Sequence, residues 1–170
     1  KVRIGDTEEP NKIKTPDELV EYIMNSDLES CKSYDMFVSH SSSNANELLK
    51  IKSILNNENL NIYVDWMCDR DGLKRELVNE KTAEVICKRL DTSESLMYVH
   101  TPESLNSRWT PWEIGYFHAK KGKICIYSPC EDVEKPPYIE LYPKAIFRDD
   151  KFQVLVDGNE VDFIDWIDMY

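Results

Sequence analysis

The chain has 170 residues, 41% hydrophobic and 31% charged, with a formal net charge of −11. That length supports one domain with a real core, and no apolar run approaches a membrane span. The acidic balance argues against nucleic acid, because phosphate contacts need a basic stripe, and the small cluster Lys120, Lys121 and Lys123 reads as the cap of a helix C-terminus.

In chain order, Thr15-Pro16-Asp17-Glu18 has the arrangement of a capping box and opens a short helix through Leu19, Val20, Ile23 and Met24. Residues 1–33 are read as an N-terminal helical extension. The first strand is predicted over 34–39, a β-rich run that breaks into His40-Ser41-Ser42-Ser43-Asn44, where the next helix is capped. Leu48, Leu49, Ile51, Lys52 and Leu55 give that helix one apolar face. Leu60, Ile62 and Val64 alternate with Asn61, Tyr63 and Asp65, a second strand ending in an acid, and a polar loop follows over 66–72.

Leu77, Val85, Ile86 and Leu90 mark a helix over 74–91, and 95–100 makes the third strand. A helix entered through Pro111 stops at Gly122, and 123–128 is a fourth, largely apolar strand. Pro129, Pro136, Pro137 and Pro143 mark an irregular excursion, after which 144–147 and 152–156 pattern as strands. Asp157-Gly158-Asn159 suits either a hairpin turn or the lead into a helix containing Phe163, Ile164, Trp166 and Ile167; the helix is favoured. The alternation predicts a flavodoxin-like three-layer α/β sandwich, a parallel sheet of about five strands flanked by helices.

Five cysteines, at 31, 68, 87, 125 and 130, form no CxxC pair, and His40, His100 and His118 complete no zinc spacing. Free thiols in a reducing cytoplasm and no metal are expected. No signal-peptide pattern is present, and a start at Lys1 rather than Met leaves room for an upstream segment.

The stretch Ser107-Arg108-Trp109-Thr110-Pro111-Trp112-Glu113 lies between the third strand and its helix. Such folds place ligands at the carboxyl edge of the sheet. Thr110-Pro111-Trp112-Glu113 fits a capping box, Thr at N-cap and Glu at N3, which would by itself explain Glu113. A capping box requires neither Ser107 nor two indoles within four positions, and such rings suit stacking on a planar ligand. Other α/β functions lack their signatures. Ser39-His40-Ser41-Ser42-Ser43 stands where a dinucleotide fold needs G-x-G-x-x-G, no P-loop is present, and His100-Thr101 replaces the acid of a phosphoacceptor domain.

Tyr34-Asp35-Met36-Phe37-Val38-Ser39-His40-Ser41 resembles the opening strand of Toll/interleukin-1 receptor (TIR) domains. Ser107-x-Trp109-x-x-x-Glu113 is similar to the motif of their NAD-cleaving members, and Trp112 to Phe117 followed by Gly122-Lys123-Ile124 is similar to a bacterial subgroup. The resemblance covers residues 34–130, within a domain read as 34–170. Asn44 and Asn46 stand where an acidic residue is often seen.

The resemblance implies an NAD+ glycohydrolase or ADP-ribosyl cyclase with Glu113 as the catalytic carboxylate. Ser39, His40, Ser41, Asp65, Trp66, Ser107 and Trp109 are then the substrate-binding residues, and NAD+ is substrate rather than cofactor. It also implies self-association through TIR–TIR contacts, aided by the loop after Trp66, and a place in prokaryotic antiviral signalling between an upstream sensor and a downstream effector responding to the nucleotide product. Alternatives stay open for most of these residues: Ser39 to Ser41 as helix-capping groups, Asp65 as an Asx turn, Trp109 as a core indole and Ser107 as a loop turn. At the level of function, a non-enzymatic TIR–TIR scaffold and a nucleoside deoxyribosyltransferase-like enzyme are the other two readings.

Overall fold

The computed structural model describes residues 33–41, 45–64 and 80–169. Seven strands form one sheet in the order β2-β1-β3-β4-β5-β6-β7. They are β1 (Tyr34–Ser39), β2 (Ile62–Val64), β3 (Ser93–Val99), β4 (Ile124–Tyr127), β5 (Lys144–Arg148), β6 (Lys151–Val156) and β7 (Asn159–Asp162). Helices α1 (Ala45–Asn57), α2 (Glu80–Asp91) and α3 (Trp109–Lys120) connect the first strands, and α4 (Phe163–Asp168) follows β7. The predicted helix at 15–24, residues 1–32 of the N-terminal extension and the polar loop at 66–72 lie outside the described residues.

The five strands from β2 to β5 are all parallel, in the flavodoxin-like order 2-1-3-4-5. Parallel strands bury both faces, and period-two alternation divides them. Met36, Val38, Met97 and Val99 face one core with Leu48, Ile51 and Leu55 of α1 and with Phe163 and Trp166 of α4. Phe37, Leu96 and Tyr98 face the other, with Ile86 and Leu90 of α2 and Ile114 and Phe117 of α3. Burying each large apolar side chain contributes about 1.5–3 kcal/mol, so these two layers hold the sandwich together.

Several expectations are corrected. The sheet gains two antiparallel strands because the turns at Asp149-Asp150 and Asp157-Gly158 have positive φ at both central positions, the backbone of tight hairpins. The Asp157-Gly158-Asn159 signal was a hairpin turn, and the favoured helix starts only after β7. Leu49, expected on the apolar face of α1, is 55% exposed. Of the three lysines expected to cap a helix C-terminus, Lys120 stands in the last turn of α3 and Lys121 is its C-cap residue, while two of the side chains reach carbonyls elsewhere. Lys121 Nζ donates to Ser93 O at 2.6 Å, and Lys123 Nζ donates to the carbonyls of Ile167 and Met169, at the C-terminus of α4. Between β4 and β5 the prolines permit only a 3-10 turn, Pro137–Leu141, in place of a crossover helix.

Candidate active site

Side-chain parity on β1 decides where Ser39 goes. Two residues after Phe37, it shares Phe37's face, the one covered by α2 and α3. On α3, Thr110, Glu113, Ile114 and Phe117 recur at helical spacing and are all buried, which makes them the inward stripe. Strand and helix therefore bring two polar groups 74 positions apart into contact: Ser39 Oγ donates to Glu113 Oε2 at 2.5 Å. Both residues are buried, 1% and 5% exposed. A buried carboxyl group needs a hydrogen-bond partner in place of water, and the Ser39 hydroxyl supplies one.

The location matters as much as the bond. Ser39 closes β1, and the neighbours of β1 are β2 on one side and β3 on the other. The chain leaves the sheet in opposite directions at that point, the crevice where open α/β sheets bind ligands.

The capping-box expectation for Glu113 does not hold. Helix α3 begins at Trp109, with Arg108 before it already helical and giving no side-chain cap bond. Ser107, extended at ψ 128, provides the cap instead: its Oγ accepts from the Thr110 N–H at 3.2 Å. Thr110 is consequently inside the first turn, and Glu113 is one turn further in, where it accepts a bond from a distant strand.

The other expected site residues are placed as follows. His40 is half-buried, its Nδ1 3.0 Å from Val38 O, and Ser41 is buried. Trp109 is half-buried against the α2/α3 core and meets Trp112 edge to face, ring centres 5.3 Å apart. Trp112 is 37% exposed and leans on Tyr116, so it stands on an outer aromatic ridge of α3 rather than beside the carboxylate. Asp65, Trp66 and Ser43 lie outside the described residues.

No family model matches the chain. Among solved structures, the TIR domain of the Toll-related receptor TRR-2 from Hydra magnipapillata matches with a TM-score of 0.53 at 15% identity, over 66% of this chain and 84% of that one. A protein of Cytobacillus dafuensis named as a candidate cyclic ADP-D-ribose synthase is 38% identical over 110 residues, 65% of this chain and 29% of its own length. A protein of Bacillus cereus (strain MSX-D12), named as a candidate 3′ cyclic ADP-D-ribose synthase, is 34% identical over 117 residues, 66% of this chain and 60% of its own length. The chain carries a TIR domain of the bacterial type. It spans less than two thirds of the length of either bacterial relative.

Sequence reasoning missed a buried polar cluster at the carboxyl end of β3 in this TIR domain. His100, fully buried, lies 3.1 Å from Tyr98 Oη through Nδ1 and 3.0 Å from Glu134 O through Nε2. Tyr98 Oη is 2.7 Å from Ser104 Oγ, which also donates to Thr101 O and accepts from the Thr101 N–H. The cluster ties the turn after β3 to the proline-rich segment before β5. Its only trace in the sequence was a histidine and a tyrosine two apart on an apolar strand, a pattern equally common in ordinary cores. Burial pushes the Tyr98 hydroxyl up to about 12, so it stays protonated.

Burial likewise lowers the His100 pKa from 6.5, outweighing the Glu134 carbonyl, which raises it. The unfolded chain then binds the proton more readily than the folded one. Stability is thus complete above the unfolded value of about 6.5 and declines as pH falls below it. Melting temperatures taken from neutral pH downward should fall more steeply for wild type than for His100→Gln. Parallel curves would show that His100 does not titrate between the two states.

No helix among the described residues is long and apolar enough to cross a membrane.

Proposed function

We propose that this TIR domain cleaves the nicotinamide–ribose bond of NAD+. The observation that carries the reading is the buried Ser39–Glu113 pair at the switch point of the sheet. The bacterial relatives, named for the synthesis of cyclic ADP-D-ribose, support it.

Cleavage moves the bonding pair of the C1′–N1 bond onto the pyridinium ring, so nicotinamide departs neutral and needs no acid. The ribose is left with oxocarbenium character. A carboxylate fixed beside it stabilises the developing positive charge, as carboxylates do in glycoside hydrolysis. Glu113 has this role, and Ser39 holds the carboxylate in place. Trp109, one helical turn before Glu113, shapes the nicotinamide side; His40 and Ser41 line the phosphate and ribose side, and Asp65 and Trp66 are further candidates for substrate contact. Ser107 acts through its cap on α3, which sets where the inward stripe begins.

Water capturing the ribose cation yields ADP-ribose and a proton. Capture by a nucleophile of the same molecule yields a cyclic isomer, the outcome the relatives' names favour. Self-association of TIR domains and a role in antiviral signalling in the prokaryotic cytoplasm complete the proposal, with a sensor upstream and an effector that reads the nucleotide product.

The test is incubation of the purified chain with NAD+ at several protein concentrations, with chromatography of the products. Nicotinamide should appear with a cyclic or linear ADP-ribose, and specific activity should climb with concentration if self-association completes the site. Absence of nicotinamide at high concentration would leave the scaffold reading in its place. A rate strictly proportional to protein, from a monomer throughout, would remove self-association from the mechanism.

A further inference from the structure

Thr110 Oγ1 is buried and has no hydrogen-bond partner. Among the described residues one other buried side-chain atom shares that condition, Arg89 Nε, and Arg89 is otherwise held by the Tyr34 hydroxyl and by the rings of Tyr34 and Tyr63. Thr110 is 1% exposed. It stands three residues before Glu113 on the same inward stripe of α3, the spacing that puts side chains next to one another.

A threonine within a helix ordinarily returns its hydroxyl to a carbonyl three or four residues back. Here those positions are Ser107 and Asn106, which precede α3, and Ser107 is extended, so the helical arrangement that offers the carbonyl is missing. The backbone side of Thr110 is satisfied by Ser107 Oγ, while its hydroxyl is left with nothing. Valine would fill the same space without burying an unpaired donor, and would be the more stable choice. A destabilising hydroxyl one step from the catalytic candidate is the kind of local departure found where a ligand supplies the missing partner.

We infer that Thr110 is a further substrate-contacting residue, whose hydroxyl donates to an oxygen of the ribose that Glu113 holds; this rests on the NAD+-cleaving reading above. Thr110 and Glu113 are both buried, 1% and 5% exposed, and adjacent on that stripe, so a sugar held by the Glu113 carboxylate lies within reach of the Thr110 hydroxyl. Ser39, Glu113 and Thr110 then grip the sugar from a strand end and two levels of one helix.

The inference predicts opposite signs for stability and activity. Thr110→Val should melt at or above the wild-type temperature, while kcat/KM for nicotinamide release from NAD+ falls about tenfold. Thr110→Ser, which keeps the hydroxyl, should stay within about threefold of wild type. An active wild type with an equally active Thr110→Val overturns the contact and leaves NAD+ cleavage standing. A wild type that releases no nicotinamide overturns the reading beneath it and the contact together. Should Thr110→Val fail to fold, Thr110→Ser is compared with Thr110→Ala at a temperature where both are folded: a clearly faster Ser variant supports the contact, and equal rates overturn it.

Discussion

Glu113→Gln is expected to lose nicotinamide release by at least about 100-fold while melting within a few degrees of wild type. Glutamine has nearly the same shape, and its amide oxygen can still accept from Ser39 Oγ, so the buried contact between β1 and α3 survives. What disappears is the negative charge, and only the charge can stabilise an oxocarbenium-like ribose. Removing a preorganised electrostatic group of this kind costs on the order of 100- to 1000-fold in rate. Because the carboxylate is buried, its replacement by a neutral group also relieves desolvation, so the variant is not expected to be unstable. Nicotinamide quantified over time, beside a thermal melt, checks both halves. Most of the activity retained in a folded variant would return Glu113 to a structural role.

Ser39→Ala tests the other half of the pair and should lower kcat about tenfold or more with a smaller change in KM. The serine hydroxyl fixes where Oε2 sits, and a carboxylate released from that bond loses the position from which it faces the ribose. The loss also removes a donor from a buried charged acceptor, a bond typically worth about 1.5–3 kcal/mol. In a chain of this length that corresponds to a fall in melting temperature of several degrees. Steady-state kinetics and a melt on the same preparation separate the effects. A kcat equal to wild type, with stability reduced, would make Ser39 a structural partner of Glu113 and no more.

The fold was legible wherever periodicity reported burial. Strand β1 runs over the predicted 34–39, and the helix over 45–57 and the third and fourth strands fall within two residues of expectation, because Leu48, Ile51 and Leu55 or Leu96 to Val99 repeat at the spacing their elements require. The C-terminal part was harder. The signals for a hairpin and for a helix overlap at Asp157 to Asn159, and a tight hairpin is distinguished from a helix lead only by backbone dihedrals, here positive φ at both Asp157 and Gly158. Leu49 was misplaced for a related reason: an apolar residue beside a stripe is counted with it until the partner surface sets the stripe's width.

In the site, the motif identified Glu113, Ser107 and Trp109 as a group, and the resemblance carried their roles. The local sequence pointed to the wrong bond, however. Thr110 to Glu113 satisfies the pattern of a capping box, yet the actual cap lies three residues earlier at Ser107, and the register of α3 moves Glu113 inward by a turn. Short-range patterns cannot tell these registers apart, since both place helix-favouring residues in the same order.

Residue order alone determined the strand–helix alternation, the acidic character and the family to which the Ser107-x-Trp109-x-x-x-Glu113 motif points, because each depends on local spacing and composition. Tertiary structure decided the Ser39–Glu113 bond, the unpaired hydroxyl of Thr110 and the His100 cluster. Each of these depends on which buried atoms are left to satisfy one another once strands and helices from distant parts of the chain have closed off water.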